Sequence, residues 1–306
     1  MNPRNHAILA ACAIPLTGHA AITVDGTVDP DYGGPLSVQT VQTQFGDSSG
    51  GTSGGGELDG AYARVEGGRL YVTLTGNIEP NFNKVSVFID SKAGGENTLA
   101  SLAYDFGGVA ANLAGMTFDS GVAIDYHLFA RWGGGNFEVD FVDRQGGLGV
   151  NSASGAATIG GGTAIQSGSV SGGPLTGTLD FGFNNNNAAG VTGGDQAADA
   201  GAAAAVTTGL EFAVDLADLG NPTGDIHIVA AYGNGDHNFF SNQFLGGLPA
   251  PQGNLGGDGA GNFTGNSGGI NLNNFAGDQF FTVVVPEPSV ALLGAFGLIG
   301  LLRRRR

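Results

Sequence analysis

Outside the first twenty residues, three histidines, several glycine-flanked serines and a run of closely spaced aspartates are the side chains whose types could do chemistry. His127, His227 and His237 lack the H-E-x-x-H spacing that puts two imidazoles on one helix face around zinc. The only cysteine, Cys12, lies in a segment read below as a leader, so no thiolate is left for a metal or a nucleophile. His127 and His227 fall in strand patterns, while His237, in the loop Gly235-Asp236-His237-Asn238, is the best placed of the three for a functional role. Gly51 to Gly55 and Gly265 to Gly269 match G-x-S-x-G, and Gly46 to Gly50 is loosely like a serine-protease loop. A nucleophile elbow needs a strand before it and a helix after it, and neither is predicted at any of the three. No catalytic residue is assigned, and the chain is read as non-enzymatic.

Hard oxygen ligands make calcium the one cofactor worth considering. Asp25, Asp29 and Asp31 gather near Gly33 and Gly34, and Asp29 to Gly34 mimics the start of an EF-hand loop, but the twelfth position is Thr40. Gly256 to Gly259 begins like a calcium-binding nonapeptide, yet Gly261 stands where an aspartate is wanted and the unit is not repeated. Trp132, beside three glycines, is the aromatic side chain expected to be open to a ligand. Tyr232, Phe239 and Phe240 are further loop-flanking aromatics for such a platform.

The elements that must position these residues are strands. Ala61 to Glu66, Arg69 to Gly76, Lys84 to Asp90, Tyr126 to Trp132, Asn136 to Val142, Thr178 to Phe183, Leu210 to Asp215, Ile226 to Tyr232 and Gln279 to Val285 show alternation or β-branched and aromatic enrichment. Gly67-Gly68 predicts a tight hairpin, and Gly133-Gly134-Gly135 a hairpin with a longer loop. Only Leu216 to Leu219 and Ala200 to Val206 read as short helical turns. Many short antiparallel strands without interleaved helices predict an all-β fold, an antiparallel, jelly-roll-like β-sandwich over 21–284. Four Gly-, Asn-, Ser- or Ala-rich stretches, 47–56, 146–173, 184–205 and 246–269, are expected to be surface loops carrying little core.

Charge narrows the partners. The chain has 27 Asp and Glu against 11 Lys and Arg, and no Lys or Arg occurs between Gln145 and Leu302. Phosphate affinity comes from clustered cations, so a nucleic-acid partner is excluded. The first twenty residues run from Arg4 and His6 through an apolar stretch to Gly18-His19-Ala20, the layout of a secretory signal peptide cleaved after Ala20. The far end places Pro286-Glu287-Pro288 before an apolar run from Val290 to Leu302 and then Arg303-Arg304-Arg305-Arg306. Thirteen apolar residues span ~20 Å as a helix, which with snorkelling arginines makes a short membrane anchor. By the positive-inside rule Arg303, Arg304, Arg305 and Arg306 stay cytoplasmic, leaving everything before Pro286 outside.

That tail resembles the PEP-CTERM sorting signal, the region 285–306 here. The resemblance implies recognition by exosortase, a membrane-embedded cysteine transpeptidase of Gram-negative bacteria, and removal of the tail near Pro286, Glu287 and Pro288. It implies an exported protein, transiently held in the cytoplasmic membrane by a C-terminal helix, then placed in the cell envelope or extracellular matrix. The order Glu57 to Tyr62, Leu70-Tyr71-Val72, Val85 to Asp90 and Phe212 to Leu219 resembles family-9-like carbohydrate-binding modules and DOMON sandwiches. This second resemblance implies polysaccharide as an alternative partner, although Trp132 is the sole tryptophan. A secreted hydrolase ranks third.

Overall fold

The computed structural model describes residues 21–51, 54–145, 151–158 and 165–286. The signal segment with Ala20, the predicted C-terminal helix with Arg303 to Arg306, and Glu287 and Pro288 lie outside those residues. The fold is all-β, two antiparallel sheets stacked as a sandwich. Its strands are β1 (Ser37–Val38), β2 (Glu57–Glu66), β3 (Arg69–Asn77), β4 (Asn81–Asp90), β5 (Tyr126–Gly133), β6 (Asn136–Asp143) and β7 (Asn151–Thr158). They continue with β8 (Ile165–Ser171), β9 (Thr178–Asn184), β10 (Gly209–Asp215), β11 (Ile226–Gly233), β12 (Phe240–Leu245) and β13 (Phe281–Val283). One sheet has the order β1-β2-β3-β10-β9-β8, and the other β12-β11-β4-β5-β6-β7 with β13 also on β11.

Period-two alternation builds the space between the sheets. Val85, Val87 and Ile89 of β4, Leu128 and Ala130 of β5, and Phe137, Val139 and Phe141 of β6 meet Leu70, Val72, Leu74, Phe181, Phe183 and Phe212 from the facing sheet. Phe137 and Phe183 stack across it with ring centroids 4.3 Å apart. Both Gly-Gly hairpins are two-residue turns. Gly67 and Gly68 have φ of 60° and 82°, and Gly134 and Gly135 have 57° and 83°, the left-handed pair that matches strand twist. The second turn is thus tighter than the loop expected, because Gly133 is already paired with Asn136.

The outer face of the seven-stranded sheet is also buried. Phe88, Phe129, Val142, Val229 and Ala231 point away from the sandwich into a second core with Leu99, Leu113, Met116, Phe118, Phe244, Leu255, Ile270 and Leu272. The long connections between β4 and β5 and around β12 form this third layer. They include a 3-10 segment, Phe106–Leu113.

Of the four stretches expected to be loops carrying little core, 47–56 is loop over its described residues and the other three need correction. Region 146–173 carries β7 and β8, the edge strands of the two sheets, because a backbone ladder does not require apolar side chains on both faces. Region 246–269 contributes Leu248 and Leu255 to the second core. Region 184–205 buries Val191 and packs Asn185 and Asn187 into an amide network, with Asn77 Nδ2 donating to Asn185 Oδ1 at 3.2 Å. It also carries the one α-helix among the described residues, α1 (Ala200–Ala204), capped by Asp199 accepting from Gly201 N and Ala202 N. In 47–56, Ser48 is buried and Gly56 lies so close to Tyr232 that no Cβ would fit. Leu216–Leu219 is a turn and not a helix.

Candidate functional site

A pocket opens where β4 begins and β5 ends, on the outer side of the seven-stranded sheet. Its volume is about 290 Å³, and Phe82, Lys84, Asp105, Val109, Arg131 and Asp236 line it. Lys84 sits opposite the Val85-Val87-Ile89 stripe on β4, so alternation turns it away from the sandwich. There its Nζ donates to Asp105 Oδ2 at 2.6 Å, with both side chains at most 3% exposed. Arg131, on the neighbouring strand, pairs with Asp140 at 2.6 Å and with Glu138. Both cations lie over the ring of Phe129, at 5.1 Å and 5.7 Å from its centroid.

Behind this pair stand two of the predicted histidines. His237 Nε2 is 3.3 Å from Asp105 Oδ2, a contact that falls short of hydrogen-bond geometry. The His237 and His127 rings are 5.4 Å apart. His127 Nδ1 shares a hydrogen bond of 2.8 Å with the Tyr104 hydroxyl, which accepts from Arg144 Nη1 at 2.6 Å. Arg144 in turn pairs with Glu96 at 2.7 Å, so a polar chain runs from the pocket to the far rim of the sheet.

Burial sets the electrostatics. It lowers the Lys84 pKa against the pull of Asp105, and it drives His237 down to about 4. His127 falls well below the ordinary histidine range through burial and then through the charges of His237, Arg144 and Lys84. Asp105 goes the other way. Burial would raise it, but His237 and Lys84 together hold it below the usual carboxylate value. Asp105 Oδ1, His127 Nε2 and His237 Nε2 are all buried without a hydrogen-bond partner.

Backbone strain concentrates here too. Among the described residues four non-glycine residues have positive φ, and three of them, Phe82 (71°), Asp105 (66°) and His237 (54°), belong to this site. The Phe82 ring lies over Gly133, where a Cβ would come within 2.5 Å of it, yet the residue is 49% exposed. The strained turn therefore holds an aromatic ring at the pocket mouth.

The sequence reading located only part of this. His237 is at the site, whereas His227 is across the sheet, 3.7 Å from Asp90 beside an open groove with Lys92 and Asn221. Trp132 is corrected: it is 3% exposed and packs edge-on against Phe183 inside the sandwich, because its place in the β5 alternation turns it inward. Tyr232 and Phe240 are likewise buried, and Phe239 is partly so. Ser267 of the Gly265–Gly269 motif is buried and donates to the His237 carbonyl at 2.7 Å, which makes it a support for that loop. Asp25 Oδ1 accepts from Thr27 N and Asp29 Oδ2 from Thr23 N, while Asp31 offers its carbonyl to Arg64. Among the described residues no three His, Cys, Asp or Glu side chains gather to hold a metal ion. Phe82, Lys84 and Asp105 were missed. The available signal was Lys84 itself, one of the few cations of the body, set within an apolar strand.

No family model matches this chain, and neither does any curated protein or solved structure.

Proposed function

We propose that this is an exported, non-enzymatic protein of the cell envelope or extracellular matrix, with a β-sandwich body and a tail removed by an exosortase-type transpeptidase. The observation that carries the reading is the junction between fold and tail. The last strand, β13, ends at Val283, Val284 is 67% exposed, and Pro286 is the first residue of the Pro286-Glu287-Pro288 motif. Cleavage there would leave every described strand of both sheets in place. Mass spectrometry of C-terminal peptides from producing cells is expected to find no mature species containing Leu293 to Leu302. Replacing Pro286, Glu287 and Pro288 with alanine is expected to leave full-length protein in the membrane. An intact arginine tail on mature surface protein would defeat this reading.

A second reading, saccharide binding by the body, is favoured by the pocket at Phe82. An exposed ring suits the C–H face of a sugar, and Arg131 and Asp236 on the pocket lining offer a donor and an acceptor to hydroxyls. Lys84 is neutralised by Asp105, and Arg131 by Glu138 and Asp140, so a neutral ligand fits better than an anionic one. Affinity electrophoresis against a panel of neutral polysaccharides is expected to show retardation that Phe82→Ala reduces at least tenfold, roughly the 1.4 kcal/mol that a lost stacking partner costs. Equal retardation of both proteins would remove the pocket from consideration.

A further inference from the structure

Five large apolar side chains stand exposed among the described residues, Leu36, Phe82, Ile165, Phe263 and Val284, and only two of them are aromatic. Phe263 is the barer ring, 66% exposed against 49% for Phe82. Both belong to the same end of the seven-stranded sheet. β4 begins there with Asn81 paired to Gly133, β11 ends there with Gly233 paired to Lys84, and β12 starts there with Phe240 bridged to Gly256. The loop that opens at Gly256 folds back on itself, Gly257 N donating to the Asn262 carbonyl at 2.8 Å, and Phe263 follows directly.

This loop is built before any ligand arrives. Asp258 Oδ1 accepts from Ala260 N at 2.8 Å and from Asn262 N at 3.0 Å, and Asp258 Oδ2 accepts from Asn262 Nδ2 at 2.7 Å. A loop closed by its own side chains loses less entropy when a ligand settles on it. It is also tied to the wall of the Phe82 pocket, which Asp236 helps to line. Asn112 Nδ2 donates to the Asp236 carbonyl at 2.9 Å, Ser267 N donates to the Asn112 carbonyl at 2.8 Å, and Ser267 Oγ donates to the His237 carbonyl at 2.7 Å. The supports of the two rings are therefore one hydrogen-bonded unit.

The surroundings select the ligand. His237 apart, Asp236 and Asp258 are the only titratable side chains of segments 234–239 and 256–269, so an anionic polymer is repelled there. Asn262, Thr264 and Asn266 flank Phe263 on the exposed surface with amides and a hydroxyl suited to sugar hydroxyls. The tail leaves from the opposite end: Val283 pairs with Ile226, the first residue of β11, and that eight-residue strand is about 25 Å long. The two rings thus face away from the point where the chain runs on to Pro286.

We infer that Phe82 and Phe263 are two contact points of one face that binds a neutral polysaccharide as an extended chain, each ring stacking on a different sugar residue. The inference rests on the saccharide reading above and adds to it a second ring and a need for chain length. A chain that reaches both rings gains affinity because its second contact is intramolecular.

Affinity electrophoresis of the full chain in neutral detergent tests it, with hydroxyethylcellulose, pullulan and galactomannan as the polymers. Phe263→Ala is expected to weaken retardation about tenfold, and so is Phe263→Leu, which keeps apolar bulk but has no flat face; Phe263→Trp is expected to retain it. The ring is exposed, so all three variants are expected to melt like the wild type, which separates lost binding from lost folding. Cellobiose, maltose and mannobiose are expected to compete about tenfold less well than the polymers at equal sugar concentration. A wild type retarded by none of the polymers would remove the saccharide reading and this inference with it. Weakening by Phe82→Ala but not by Phe263→Ala would leave the pocket reading standing and overturn the inference. Full retardation of Phe263→Leu, or disaccharides that compete as well as polymers, would overturn it too.

Discussion

Replacing Lys84 with alanine is expected to lower the free energy of unfolding by about 3–5 kcal/mol, the cost of leaving a buried carboxylate without its cation. Asp105 and Lys84 are 1% and 3% exposed, so the carboxylate would lose its cation in a largely desolvated place. Arg131 cannot swing across, because it is held by Asp140 and Glu138. Removing both charges, as in Lys84→Met/Asp105→Leu, is expected to recover much of the loss, since a desolvated pair contributes less net stability than its rupture costs. Urea unfolding of the two variants and the wild type measures the difference. If the alanine variant lost under 1 kcal/mol, the pair would be solvated and the buried site would not exist as described.

Stability is expected to fall as pH rises from about 6.5 to 9, at up to 1.4 kcal/mol per pH unit for each proton retained only by the folded chain. The cause is a pair of carboxyls on β2. Glu57 and Asp59 are 1% and 0% exposed, and no arginine, lysine or histidine is paired with either among the described residues. Burial, followed by the charge of Asp59, pushes Glu57 up to about 9, and burial pushes Asp59 to about 7. Between the unfolded and folded pKa values the folded state holds a proton that the unfolded state has released. Stability from these groups is therefore greatest at low pH and declines until the folded pKa is passed.

The buried histidines act in the opposite sense. His237 falls to about 4 and His127 well below its usual value, so below about 6.5 the unfolded chain takes up protons that the folded one refuses. The two effects offset each other in mild acid, and above the ordinary histidine pKa only the carboxyls remain. Thermal melts from pH 5 to 9 are expected to be nearly level at first and then to descend, and Glu57→Gln is expected to flatten the descent. A melting temperature that climbs from pH 7 to 9 would contradict the burial of both acids.

Glu57 also shows where a linear reading stops. The strand containing it extends Ala61 to Glu66 backward by four residues, through a bulge between Leu58 and Gly60. Alternation predicted the regular half but not the bulge, because an extra residue in one strand depends on its partner. The same limit applies to Asp105. Nothing near it in the chain marks it, and only the fold of the β4–β5 connection sets it against Lys84 and His237, 21 and 132 residues away.

Sequence alone determined the strands whose side chains alternate, the Gly-Gly turns and the all-β class, because period-two burial and positive φ are local properties of the backbone. It also determined the acidic, cation-poor character of the body, which needs only counting. Tertiary structure decided which face of each strand was buried against what. Both faces of the seven-stranded sheet are covered, so Trp132 on one face and Lys84 on the other both end up inside. It also decided that polar, glycine-rich stretches would complete the sheets, because β7 and β8 are held by backbone pairing to neighbours and not by apolar pattern. Hydrogen bonding between strands is blind to side-chain hydropathy, and that is why these edges could not be read in one dimension.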